Sequence, residues 1–136
     1  DSIEDTSNVV TLANTYTDVA GNAGTTASSA NYTIDTIAPT LDITAADSNL
    51  SAGETTTLTF TFSEAVSGFA AGDVTVAGGT LGALSSADGG VTWTASFTQS
   101  GADAPSVSVA NDSYTDVAGN ACRRRQRCAA IGAGAR

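Results

Sequence analysis

The chain has 136 residues, 41 % of them apolar and 14 % charged, and 14 acidic against five basic groups give a formal charge of −9. All five basic residues are Arg at or beyond position 123, so residues 1–121 carry every acidic group and no Lys, Arg or His. Such a body repels nucleic acid and anionic membranes and lacks most nucleophile–base pairs and anion clamps. Only carboxylate pairs of the glycosidase kind remain, and none is singled out by its surroundings, so no catalytic residue is expected. The absence of Lys also excludes lysine-dependent isopeptide crosslinks. No segment approaches about 18 consecutive apolar residues, so no membrane insertion is expected. Cys122 and Cys128 both lie in the last fifteen residues, leaving the body without a disulfide framework. Any export signal is expected elsewhere, because the chain begins at Asp1 without an initiator Met or a signal peptide.

In chain order, Val10, Leu12 and Tyr16 lead into Tyr16-Thr17-Asp18-Val19-Ala20-Gly21-Asn22, and the same seven residues return as Tyr114–Asn120. A repeat of about 100 residues is one small domain, so the chain reads as a slice of a tandem array. With one residue gapped, Val10, Leu12 and Tyr16 match Val107, Val109 and Tyr114. Residues 1–35 are therefore expected to be the C-terminal strands of a preceding repeat, with Gly24 to Asp35 as its last strand. Residues 36–40, Thr-Ile-Ala-Pro-Thr, read as a linker that Pro39 holds extended and out of any ladder.

From Leu41 onward, apolar and hydroxyl residues alternate. Leu41 and Ile43 open the pattern. Leu58, Phe60 and Phe62 alternate with Thr57, Thr59 and Thr61, and Val91, Trp93, Ala95 and Phe97 alternate with Thr92, Thr94, Ser96 and Thr98. This is the period of half-buried strands. Val74 with Val76, Leu81 with Leu84, and Val107 with Val109 give three more, making six between about 40 and 114. Gly78-Gly79, Asp88-Gly89-Gly90 and Ser100–Asp103 supply the turns. Residues 64–71 read as one short helical turn. Phe60, Phe62, Phe69, Trp93 and Phe97 are the expected core of two sheets packed face to face. The fold class is all-β, an antiparallel β-sandwich. Trp93 and the phenylalanines, as an alternative, would form a sugar-binding platform, but their alternation with Thr turns them inward.

Leu58–Phe69, Asp73–Thr80 and Tyr114–Asn120 together resemble a bacterial immunoglobulin-like domain, and Asp35–Thr44 resembles the junction between consecutive copies. The resemblance covers residues 1–121. It implies a seven-stranded immunoglobulin-like sandwich, found in tandem in large secreted or surface adhesins. The implied function is a non-catalytic spacer, located extracellularly or on the bacterial cell surface, with neighbouring repeats as partners. Two alternatives are a module binding glycans or host proteins, and an accessory module of a secreted polysaccharide-degrading enzyme.

The implied last strand follows Asn120, where the sequence breaks. The first copy continues Ala23-Gly-Thr-Thr-Ala and the second Ala121-Cys-Arg-Arg-Arg-Gln. Residues 41–121 are thus expected to form a repeat lacking its last strand, and 122–136 an aberrant, disordered tail for which a shifted reading frame accounts. A bare sheet edge invites pairing with another chain, so strand exchange between chains is expected.

Calcium is the expected cofactor. In an array of sandwiches, linker Asp35 approaches the loops that hold Glu64, Asp73 and Asp116, and carboxylates with carbonyls and water suit calcium. The competing reading is that Asp18 and Asp116 merely close tight turns, with Gly21 and Gly119 supplying the unusual backbone angles.

Overall fold

Short polar and mixed strands on either side of the Tyr-Thr-Asp-Val-Ala-Gly-Asn turn make the N-terminal segment one long, interrupted hairpin. The computed structural model describes residues 4–101, 104–110, 112–121 and 130–131, and the chain divides into two units between Ile37 and Ala38. In the first unit, β1 (Glu4–Asn8) pairs antiparallel with β4 (Tyr32–Asp35), and β2 (Thr11–Leu12) with β3 (Ala27–Ser28). The register slips between Asp5 and Asn8. Asparagine side chains bridge the slip: Asn8 N–H donates to Asn31 Oδ1 at 2.7 Å, and Asn31 Nδ2 donates to Thr6 O at 2.8 Å. Val10 and Leu12 remain 62 % and 53 % exposed on this hairpin.

The second unit holds the sandwich. One sheet contains β5 (Leu41–Ala45), β6 (Thr55–Phe62), β10 (Ser85–Ser86) and β11 (Thr92–Gln99) in the order β10-β11-β6-β5, and β9 (Gly79–Leu81) also pairs with β11. The register of β6 and β11 sets Thr against Thr (Thr61 with Thr92, Thr59 with Thr94), and Phe60 against Trp93. The hydroxyl face is thereby turned to solvent, where Thr55 and Thr98 hydroxyls lie 2.8 Å apart, and Leu58, Phe60, Phe62, Ala95 and Phe97 face inward. The opposing sheet has the order β14-β12-β8, from β8 (Val74–Ala77), β12 (Ser106–Val109) and β14 (Ala130–Ile131). Val74, Val107 and Val109 close the core from that side. Val107 and Val109 are 4 % and 8 % exposed, in contrast to their first-unit counterparts Val10 and Leu12.

The expected core is present and is one ring larger. Phe60, Phe62, Phe69 and Phe97 are buried and Trp93 is partly buried against them, and Tyr114, which sequence reasoning used only as a marker of the repeat, is buried with them. Phe62 and Tyr114 meet edge-on at 4.8 Å, a geometry that adds about 0.5–1.5 kcal/mol beyond burial. The Trp93 indole N–H donates to Gly90 O at 3.1 Å, so its polar edge is satisfied inside the fold.

One expectation is corrected. Residues 64–71 form no helical turn; Val66–Ser67 is instead a short strand, β7, paired with β13 (Thr115–Asp116), and a 3-10 turn follows at Ala71–Asp73. Ala38 and Pro39 are buried in the second unit, and Thr40 exchanges hydrogen bonds with Ser63, Thr40 N–H to Oγ and Ser63 N–H to Thr40 O, each 3.0 Å. Beyond residue 121 one further strand pair is described. Ala130 and Ile131 pair antiparallel with Ser108 and Val107, because a ladder is made by backbone groups and tolerates a sequence that lacks the alternating pattern. The rest of 122–136 lies outside the described residues.

Phe69 edges against Trp93 at 5.7 Å. Phe69→Ala is expected to cost about 3–5 kcal/mol and to shift the native Trp93 emission to the red, both read from one urea titration followed by fluorescence.

Candidate functional site

The site is the pole of the second unit where β7 and β13 pair. Thr115 stands opposite Ser67 and Asp116 opposite Val66. After Asp116 the chain reverses through Gly119, at φ +94°, and returns so that Ala121 bridges to Thr115. Asp116 closes this turn with both carboxylate oxygens. Oδ1 accepts from Asn120 N–H at 2.8 Å and Oδ2 from Asn120 Nδ2 at 2.8 Å. Asp116 N–H in turn donates to Asn120 O at 3.1 Å.

The first unit repeats this arrangement. Asp18 Oδ1 accepts from Asn22 N–H at 2.9 Å and Oδ2 from Asn22 Nδ2 at 2.8 Å, with Gly21 at φ +91° and Thr17 bridged to Ala23. The Asn22 side-chain amide, with its backbone N–H, holds the Asp18 carboxyl below the usual carboxylate range. In both copies the aspartate therefore closes the turn. Asn22 and Asn120 are the residues that sequence reasoning missed; an Asp followed four residues later by Asn, with Gly between them, was the available signal.

The two turns differ in what surrounds them. Asp116 is only 2 % exposed, whereas Asp18 is exposed. Carboxylate oxygens of Glu64 and Asp116 lie within 4.8 Å of each other. Of the other expected ligands, Asp73 has a structural task, accepting from Ala70 N–H at 2.8 Å through Oδ2 to close the 3-10 turn. Asp35 ends β4 of the first unit and accepts from Ile37 N–H at 3.0 Å. Two carboxylate oxygens this close could serve as ligands to one cation.

The model of the bacterial Ig-like domain matches residues 35–131. The chain belongs to the bacterial Ig-like domain family. No curated protein and no solved structure matches it. The match begins at Asp35 and ends at Ile131, so its range includes β14. The family is typically non-catalytic, its members serve as structural, surface-associated modules, and they are often found in surface or extracellular proteins. Among the described residues no helix is long and apolar enough to cross a membrane.

Next to the Asp116 turn, the Tyr114 hydroxyl is buried with no hydrogen-bond partner among the described residues, and burial raises its pKa above the ordinary 10.0. Its folded value being the higher one, Tyr114 ionisation costs the domain nothing below about pH 10 and destabilises it as pH climbs through the folded value. Tyr114→Phe is expected to flatten that alkaline loss and to raise stability at neutral pH by up to about 1 kcal/mol, measured by urea unfolding from pH 7 to 11. In chelator, Asp116→Ala is expected to cost about 3 kcal/mol, since it orphans two hydrogen bonds to a charged acceptor, while Asp18→Ala leaves the main melting transition unchanged; calorimetry of both variants reads the contrast.

Proposed function

We propose that this Ig-like chain is a non-catalytic spacer from a bacterial cell-surface or secreted adhesin, and that calcium stiffens the joint between consecutive repeats. The observation that carries the metal is the close approach of Glu64 and Asp116 with Asp116 buried. Each Asp116 oxygen already accepts one hydrogen bond but has a second lone pair available. Asp35 is the third ligand in this proposal. The family match starts at it, and three residue steps tie it within about 11 Å of Ala38, which is buried in the second unit. Backbone carbonyls and water complete the six to eight oxygens that calcium takes. Asp73 is not among the described carboxylates that lie close to Glu64 and Asp116 and is left out of the set.

The first unit, in this reading, is the closing hairpin of a preceding repeat, whose other strands would cover Val10, Leu12 and Tyr16. The partners are then neighbouring repeats of the same protein, at the cell surface or outside the cell. Trp93 is partly buried against the core, edge-on to Phe69, with its indole N–H used inside the fold, which weighs against the glycan-binding alternative.

Thermal melts with calcium and with chelator test the metal. Calcium at about 100-fold above its Kd is expected to raise the melting temperature by roughly 10 °C, and Glu64→Gln to remove most of the shift. An unchanged wild-type melt sinks the calcium joint and leaves a plain spacer.

A further inference from the structure

We infer that residues 27–35 of one chain add as an antiparallel strand to the β12 edge of a second copy of this chain, taking the place of β14. This goes beyond the spacer reading and needs no calcium. Among the described residues, β14 pairs with β12 at Val107 with Ile131 and at Ser108 with Ala130. The equivalent place beside β2 is held by β3, with Thr11 opposite Ser28 and Leu12 opposite Ala27, and continues with Ser29 N–H donating to Val10 O at 2.8 Å. Val10 and Leu12 correspond to Val107 and Val109, so residues 27–35 already pair with a β12-like strand in a fixed register. Moved to a second copy, that register sets Ala27 against Val109, Ser28 against Ser108 and Ser29 against Val107.

Three further observations favour the exchange. Tyr32-Thr33-Ile34 suits a strand far better than Gly132-Ala133-Gly134, which follows β14 in sequence. Asn8 faces Tyr32 in the first unit, and its counterpart in the second is Pro105, so the incoming Tyr32 arrives beside Pro105. Pro105 borders an open apolar cleft of ≈ 30 Å³ lined also by Ala45, Leu50, Leu58, Phe97 and Val107, and an aromatic ring laid over its mouth removes that surface from water. Releasing the donor strand costs little, because an isolated two-stranded hairpin is marginal and its Val10 and Leu12 are already exposed.

The donor is a different molecule. In this register Asp35 stands about 10 Å past Tyr32, beyond the Ala45 end of β5, and β5 itself spans about 13 Å. Asp35 is tethered within about 11 Å of Ala38, which precedes the opposite, Leu41 end, so a chain cannot donate to itself.

Disulfide trapping tests this in full-length protein carrying Cys122→Ser and Cys128→Ser, with chelator present. Ser28 and Ser108 are both exposed and directly opposed in the proposed register, where Cβ atoms lie about 4.5–5.5 Å apart and a disulfide can close. A Ser28→Cys chain mixed with a Ser108→Cys chain is expected to form a covalent heterodimer on oxidation at least ten-fold faster than Ser28→Cys mixed with Ser96→Cys, whose cysteine lies on the outer face of the other sheet. Ser29→Pro, which removes the N–H that Val10 O now accepts, is expected to abolish the difference while the second unit keeps its melt. Equal rates for the two mixtures, or only monomer by light scattering at about millimolar concentration, overturn the exchange. Neither result bears on calcium, which the melts decide separately.

Discussion

The Phe69 side chain ties the Ig-like domain together. Its ring meets Phe60 at 5.5 Å, Phe62 at 5.2 Å, Trp93 at 5.7 Å and Tyr114 at 6.1 Å, tilted or edge-on in every case. Phe60 and Phe62 come from β6, Trp93 from β11, and Tyr114 from the segment entering the Asp116 turn. One residue outside any strand thus joins the large sheet to the β7–β13 pair. Gly68, at φ +82°, turns the chain so that Phe69 can enter. The distance between Glu64 and Asp116 depends on this cluster. Glu64 sits between Phe62 and β7, Asp116 is paired with Val66, and Phe62, Phe69 and Tyr114 fix both segments from below. Loss of the aromatic contact would loosen the acidic pole before any carboxylate was altered.

The duplicated turn separates what is locally encoded from what is not. Asp18 and Asp116 make the same pair of hydrogen bonds to an asparagine four residues on, within 0.1 Å of each other, although one is exposed and the other buried. The turn therefore forms from its own residues, as an Asx-type closure with a left-handed glycine, and needs no sandwich around it. It is also no metal site by itself. What distinguishes the second copy is Glu64, supplied by a loop some fifty residues earlier, so any cation chemistry there is a property of the tertiary fold. The valines at the two tips, Val19 and Val117, are fully solvent-exposed in both settings, as a turn held by Asp, Gly and Asn alone allows.

Much of the fold was legible because its signals are local. Alternation on β6 and β11 gave the inner face residue by residue, and the glycines at 89 and 90 mark a turn that Asp88 closes by accepting from Thr92 N–H at 2.8 Å. Segments with a weak or mixed pattern were not legible. Val66 and Phe69 have a helix-like spacing of three, but β7 exists because β13 is there to pair with it, a contact between segments almost fifty residues apart. Tyr114 lies in a turn-rich stretch where no period assigns a face, and only the assembled core shows that it is buried. At the acidic pole, carboxylate chemistry nominated Asp35, Glu64, Asp73 and Asp116 alike, and both Asp73 and Asp116 are found closing turns by accepting hydrogen bonds. Counting acids cannot separate these roles, since a hydrogen-bond acceptor for a backbone N–H and a ligand for a cation are the same functional group.

The last strand shows a different limit of pattern. From Ala23 to Ser28 the first copy takes five residue steps; from Ala121 to Ala130 the second takes nine before reaching the equivalent position beside β12. Lengthening a connection from five to nine costs only about 0.5 kcal/mol of closure entropy, so the longer path is no obstacle to pairing. Cross-strand hydrogen bonds in turn come from backbone groups that every non-proline residue carries. A segment rich in Arg, Ala and Gly can therefore end at a sheet edge without any of the alternation that marks β6 or β11. The side chains determine how firmly it stays there, since cross-strand contacts rather than backbone pairing set most of the difference between one strand and another.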